Sequence, residues 1–399
     1  MQTLLVPAPH AELTAIKGVS YLFLPEKQSL LALSAEVAAV WPRLQCGVYR
    51  NAGSAVLPDP TLEDLTVAGA LEPLQVGGED CAVAHVQILD MAGFRIGLCY
   101  SDDEFFQELA PIYAHVTVPE AAWLEGATPT EAWITVSRHK DGGCVAARGG
   151  DPRLGRADAV APLLKLALTD VLLDLIDPLL LHAAVVAVRT ATQAPAAMLI
   201  VGDPGAGKST LAMSLARAGC HLCGDDLALL GWDGAVQAVP FPATLKTGSW
   251  ALFSGQDTSN EGWPLAGQIE AARSYLRPDA QHVRYLPLSG GEGDIASAAL
   301  PVRWVVFLDR VPGPVAQPEV TPLDVPEVLS RMIAASWSGT EELDPAEFRA
   351  LAACLDKAHC FAFRYSDLDP AVSTLMALAD RGDQEPMPDD QFPEWAQGA

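Results

Sequence analysis

Near the start of the chain two short apolar runs, VSYLFL (19–24) and SLLALS (29–34), flank a polar turn. From Ser34 the spacing becomes helical. Val37, Ala38, Val40 and Trp41 share one side, and Glu36 sits in the first turn, where a negative charge suits the helix dipole. TLEDLTVAGALEPL (61–74) predicts a second helix, capped by Thr61 with Asp64 three residues on. A hairpin followed by helices outlines a small winged-helix-like α+β module over residues 1–80. Residues 81–160 predict a mixed α/β linker domain: CAVAHVQILD and FRIGLCYS as strands, DEFFQELAPIYAHV as a helix, and AWITVSRHKDGGCVAARGG as a hairpin around Asp141-Gly142.

The pattern then becomes strongly α/β over residues 161–380. APLLKLALTDVLLDLIDPLLLHAAVVAV (161–188) is the most apolar stretch, but Lys165, Asp170, Asp174, Asp177 and Pro178 interrupt it. It reads as a buried helix followed by a strand, not as a membrane span. AAMLIV (196–201) suits a buried strand, and TLAMSLARAG (210–219) has helical spacing with Gly219 placed to stop it. CHLCGDD (220–226) predicts the next strand, and LALLGWDGAVQAVP (227–240) a hairpin turning at Asp233-Gly234. VRWVVFLDR (302–310) reads as a central strand, and CFAFRYSDLDPAVSTLMAL (360–378) as a strand and a helix. The acidic, proline-containing stretch 381–399 predicts a loosely ordered tail.

Between the strand at 196–201 and its helix lies GDPGAGKS (202–209), a complete G-x-x-x-x-G-K-[ST]. Strand, glycine loop and helix in this order form the context in which the motif binds a nucleotide. Gly202, Asp203, Pro204, Gly205, Ala206 and Gly207 wrap a phosphate, the glycines letting backbone N–H groups point inward, and the helix N-terminus adds partial positive charge. Lys208 is expected to reach the terminal phosphates of ATP, and Ser209, next to Thr210, to ligate Mg2+.

Asp225 and Asp226 follow Ser209 unusually early. Neighbouring strand residues face opposite ways, so both serve one site only if the strand ends there and the backbone turns. Gly224 is the residue expected to allow that turn. One aspartate then ligates magnesium while the other takes a proton from an attacking hydroxyl. The alternative is one magnesium ligand and one surface aspartate opening the next hairpin. Two close carboxylates beside a metal titrate as a coupled pair, so the base is not assigned between them.

LLLHAAVVAV (179–188), LIVGDPGAGKST (199–210) and HLCGDDLALL (221–230) together resemble the catalytic domain of HPr kinase/phosphorylase and related peptide and protein serine kinases. The likeness spans about residues 160 to 380, with specific motifs in 180 to 250. It implies a P-loop kinase core in which His182 lies near the transferred phosphate and Lys208 and Ser209 hold nucleotide and magnesium. Asp225 and Asp226 would supply base and metal ligand, with Asp226 joining Ser209 at the metal. PFPATLKTGSW (240–250) resembles a further segment of these proteins and implies Lys246 as a second cation at the phosphates. Their late glycine-arginine segment and glutamate have only loose counterparts here, Arg303 and Asp309. The reverse, phosphorolytic reaction and HPr as substrate are therefore not carried over. The family's hexamers imply self-association.

LLALSAEVAAVW (30–41) is similar to the PqqD-type leader-peptide recognition domains of ribosomally made, modified peptides. That likeness, over about sixty residues, implies a peptide gripped by strand addition at a sheet edge. The insertion VYRNAGSAVLPDP (48–60) departs from a compact version.

Fifty acidic residues against twenty-five basic ones give a formal charge of −25. Such a surface disfavours nucleic acid and anionic membranes as partners. MQTLLVPAPHAELTAIKG lacks the basic start and apolar run of a secretory signal, and Cys220 and Cys223 are the only close pair among eight cysteines, read as apolar strand residues. Free thiols and a nucleotide loop point to the cytoplasm. The expected activity is ATP-dependent transfer to a Ser or Thr hydroxyl of a peptide or small protein. The alternatives are a small-molecule kinase or nucleotide hydrolase, and a nucleotide-binding recognition protein without transfer.

Overall fold

The computed structural model of the 399-residue chain describes residues 2–45, 47–49, 57–76, 79–80, 82–120, 122, 129–140, 142–189, 194–253, 266–288, 295, 298–310, 317–337 and 343–381. The expected tail (381–399) apart from Arg381, most of the 48–60 insertion and Asp141 lie outside these residues. The protein is mixed α/β and forms two compact units. The first comprises Met1–Asp177, Pro240–Gly255 and Ala266–Ser289; the second comprises Pro178–Val239, Gln256–Leu265 and Gly290–Ala399. The expected boundary near 160 therefore moves to 177, because the helix Val160–Leu175 packs on the strand Gly142–Ala147 of the first unit.

In the first unit, Glu12–Ile16, Val19–Leu24 and Ser29–Leu33 make a three-stranded antiparallel sheet, one strand more than the apolar runs predicted. Glu12–Ile16 is largely exposed and carries no apolar run to mark it. The helix Ala35–Leu44 starts as read: the Ser34 hydroxyl accepts from the Val37 N–H at 3.2 Å. The second helix differs. It spans Asp59–Ala68 with Pro58 at its cap, so Thr61 lies inside it. It stops at Gly69, whose φ of +76° ends the turn, and Leu71–Pro73 is a strand paired with Gln2–Pro7.

The strand Gln2–Pro7 serves two cores. Leu5 packs with Leu22, Leu24, Trp41 and Leu62, whereas its neighbours Leu4 and Val6 pack with Ile88, Cys99 and Trp133. Alternation along a strand sends successive side chains to opposite faces, and here both faces are buried. Arg148 adds a polar tie, donating to the Pro7 carbonyl at 2.7 Å and pairing with Glu72 at 2.8 Å. The second core belongs to a five-stranded sheet ordered His85–Met91, Phe94–Tyr100, Ala132–His139, Gly142–Ala147 and Arg153–Arg156. Ala243–Lys246, His282–Leu286 and Ser274–Leu276 form a further three-stranded sheet of this unit.

The second unit is built on a ten-stranded mixed sheet. His221–Gly224, Ala183–Val188, Ala196–Val201 and Leu300–Arg310 lie side by side in that order. Ala196–Val201 runs parallel to Leu300–Arg310, which runs parallel to His359–Tyr365. Glu319–Pro322 extends this side, while Ala235–Ala238, Ala228–Leu230, Leu179–Leu181 and Ser336–Trp337 continue the other branch. Every residue of Ala183–Val188 and Ala196–Val201 is buried, as continuous apolar runs predict for strands covered on both faces. The helix Lys208–Arg217 packs on Ala183–Val188 and His221–Gly224, while Val328, Met332, Ala350 and Leu351 of two later helices join the core beside Leu199 and Val201.

Candidate phosphate-transfer site

The strand Ala196–Val201 delivers its last residue into the loop Gly202–Gly207, and the helix Lys208–Arg217 begins at once. Gly205 and Gly207 have φ of +90° and +102°, a region that L side chains adopt only under strain. The sequence supplies glycine at both points where the loop demands it. Lys208 is only 6% exposed, and its ammonium donates to the main-chain carbonyls of Gly202 at 2.6 Å and of Asp203 at 3.4 Å. The cation is thus folded across its own loop. Ser209 and Thr210 are half-buried in the first helical turn.

Topology brings three further side chains to the same end of the sheet. Ala183–Val188 runs antiparallel to the loop strand, with Ala183 paired to Val201, so His182 stands just before the paired stretch, where the loop starts. His221–Gly224 runs antiparallel to Ala183–Val188, so its C-terminal end, with Asp225 and Asp226, arrives there too. Leu181 pairs with Ala228 and Val185 with Gly224 in one register, which then shifts by one residue at an irregularity between Val185 and Val186. Between those two pairings the ladder breaks, at 182–184 on one side and at 225–227 on the other.

That break is where the polar groups meet. The His182 imidazole donates from Nδ1 to the Asp226 main-chain carbonyl at 3.0 Å and lies 3.4 Å from its carboxylate oxygen Oδ1. A carbonyl cannot donate, so the ring hydrogen is on Nδ1. The main-chain N–H of His182 donates to Ala335 at 2.7 Å, and the indole of Trp337 lies parallel to the imidazole, 6.5 Å between centroids and 9° between planes.

The two aspartates occupy different environments. Asp225 is 2% exposed, whereas the side chain of Asp226 is 34% exposed. Gly224 does not supply the expected turn through a positive φ. A Cβ there would stand 2.7 Å from the Val239 carbonyl oxygen, so glycine is needed for close backbone approach.

Asp309 is exposed at the loop end of its strand, two residues beyond the Phe307 that pairs with Val201. Arg303 lies toward the opposite end of that strand and stacks its guanidinium over Trp304 at 5.5 Å. Lys246 belongs to the first unit, half-buried at the end of the strand Ala243–Lys246. Burial pushes the Cys220 thiol up to about 11 and Cys223 to about 12, so both are neutral near neutrality. Trp337 and Ala335 were not singled out by any local pattern, because their pairing with Leu180–His182 joins distant parts of the chain.

The donor set fits a magnesium nucleotide: backbone amides at a helix N-terminus and an ammonium for the phosphates, with a hydroxyl and carboxylates for a hard cation. No protein-family model and no curated protein matches the chain.

Proposed function

We propose that the second unit is an ATP-dependent kinase that transfers the terminal phosphoryl group to a Ser or Thr hydroxyl of a peptide or small protein. What supports this is the convergence of the phosphate loop, His182 and the Asp225-Asp226 pair at one end of one sheet. A loop that only bound nucleotide would not require two carboxylates and an oriented imidazole beside it.

The backbone N–H groups of the loop and Lys208 hold the phosphates, as the fixed positive φ of Gly205 and Gly207 allows. Ser209 and Asp226 are the residues that would hold magnesium, whose charge would offset that of the phosphates. The acceptor oxygen forms a bond to the terminal phosphorus as the bond to the ADP oxygen breaks, and the carboxylate pair takes the hydroxyl proton. In this reading the front module of the first unit, with its three-stranded sheet and Ser34-capped helix, presents the acceptor peptide.

Intact-mass analysis of candidate peptides after incubation with the protein and Mg-ATP tests the reading. A gain of one phosphate is expected. It should be lost in Asp225→Asn or Asp226→Asn while nucleotide binding survives. Normal phosphorylation by both variants sinks the assignment. ATP consumption with no peptide modified moves the acceptor to a small molecule or water.

A further inference from the structure

His182 is fixed from three directions. Ala335 holds its main chain, Trp337 faces its ring plane, and Asp226 takes the hydrogen of Nδ1. Two of these come from one short stretch, 335–337, whose strand pairs with Leu180–Leu181. The hydrogen bond from Nδ1 of this ring ends on Asp226, at an atom that belongs to the backbone of the aspartate pair. The neighbouring carboxylate oxygen, 3.4 Å from the same nitrogen, falls just outside a normal hydrogen bond but inside ion-pair range.

An aspartate in this position needs such a hold. Residues 225–227 sit in the gap of the ladder and receive no strand pairing from segment 179–188, while the chain on both sides is anchored by Val185–Gly224 and Leu181–Ala228. Misplacing an oxygen of the Asp226 carboxylate by about 1 Å is enough to cost on the order of a hundredfold in rate.

We propose that His182 is a positioning residue: its Nδ1–H fixes the backbone and carboxylate of Asp226, and it acts on the reaction through that aspartate instead of by touching the phosphate. The assignment rests on the kinase reading above and differs from the family likeness, which would place the imidazole near the transferred phosphate.

The two roles are separable because they use different nitrogens. Asn carries its amide nitrogen on Cγ, where His carries Nδ1; Gln carries it one bond further out, near Nε2. The experiment compares His182→Asn, His182→Gln and His182→Ala with wild type, after thermal melts confirm that each folds. Two readouts are taken: steady-state transfer to a phosphorylated peptide, and affinity of Mn2+ for the ADP complex by electron paramagnetic resonance. The expected result is that Asn keeps kcat and Mn2+ affinity within about threefold of wild type. Gln and Ala should lose tenfold or more in kcat and severalfold in Mn2+ affinity, with KM for ATP unchanged. Adding His182→Ala to Asp226→Asn should cost little more.

Retention by Gln with loss by Asn overturns the proposal, as does equal behaviour of the two amides. If the wild type phosphorylates no peptide, the kinase reading fails, and the Mn2+ readout still decides whether the Nδ1–H fixes Asp226.

Discussion

Gly224 faces the Val239 carbonyl so closely that a methyl group on it would lie 2.7 Å from that oxygen and 3.1 Å from the Ala238 Cβ. Two backbone segments touch there, immediately before the aspartate pair. Neither can yield by rotating a side chain. Gly224→Ala should therefore push 225–226 away from His182. The expected cost is about 1–3 kcal/mol of stability, read by thermal melting, together with a loss of transfer larger than any loss of nucleotide affinity. Wild-type activity in this variant would show that the aspartates tolerate displacement.

Lys208 tests the loop by itself. Its ammonium is buried and held on the Gly202 carbonyl. Lys208→Met keeps the apolar stem and removes the charge. A charge-assisted contact of about 1.5–3 kcal/mol corresponds to a loss of roughly 10- to 100-fold in ATP affinity. Calorimetric titration with ATP checks this, and an unchanged affinity would mean that the phosphates lie elsewhere.

His115 predicts a pH dependence for the first unit. Burial lowers its pKa to about 4, although its hydrogen bond to the Pro240 carbonyl partly opposes the shift. The folded value lies below the unfolded one of about 6.5, so the folded state binds fewer protons between them. The stabilising contribution is complete above pH ~6.5 and is lost as pH falls toward 4, with a ceiling of roughly 3 kcal/mol. Melting temperatures of wild type and His115→Gln should converge on acidification through this window. Parallel curves would show that His115 is not the group responsible.

The front module is not a detachable piece. Leu4 and Val6 fill the core around Ile88, Cys99 and Trp133, and Arg148 reaches back to Pro7 and Glu72. Deletion of residues 1–80 should therefore expose apolar surface and lower the melting temperature of the remainder, with increased light scattering. Leu4→Ala alone should cost about 2–5 kcal/mol. A truncated protein that melts like the whole would show that the second core closes without this strand. Point changes on the edge strand Ser29–Leu33 are the cleaner test of the acceptor-binding role proposed for it.

What could be read from the sequence follows the range of the interactions. Ala196–Val201 has the predicted bounds because a six-residue apolar run between turn signals is locally decided. Ser34 at its cap and Gly219 at φ +104° were legible for the same reason. Glu12–Ile16 was not, since an exposed strand has no apolar alternation to announce it. The second front helix was misjudged at both ends because Leu71–Pro73 has a remote partner, Gln2–Pro7. Within the site, the aspartates and His182 were visible as residue types. Their contact was not, because it depends on a register shared by two segments with the phosphate loop between them. Lys246, expected at the phosphates from its motif context alone, belongs to the first unit.

The strand with one face in each core also sets a timetable for synthesis. Gln2–Pro7 is made before every strand it pairs with, namely Val48–Tyr49, Leu71–Pro73 and Ala82–Val83. Its Leu5 face finds cover once Trp41 and Leu62 have emerged, but the core around Leu4 and Val6 is not complete until Trp133 leaves the ribosome. At ordinary elongation rates that interval is about 6 to 25 s. For that time the nascent chain carries an apolar β-forming segment still short of part of its core, open to chaperones and to other nascent chains alike.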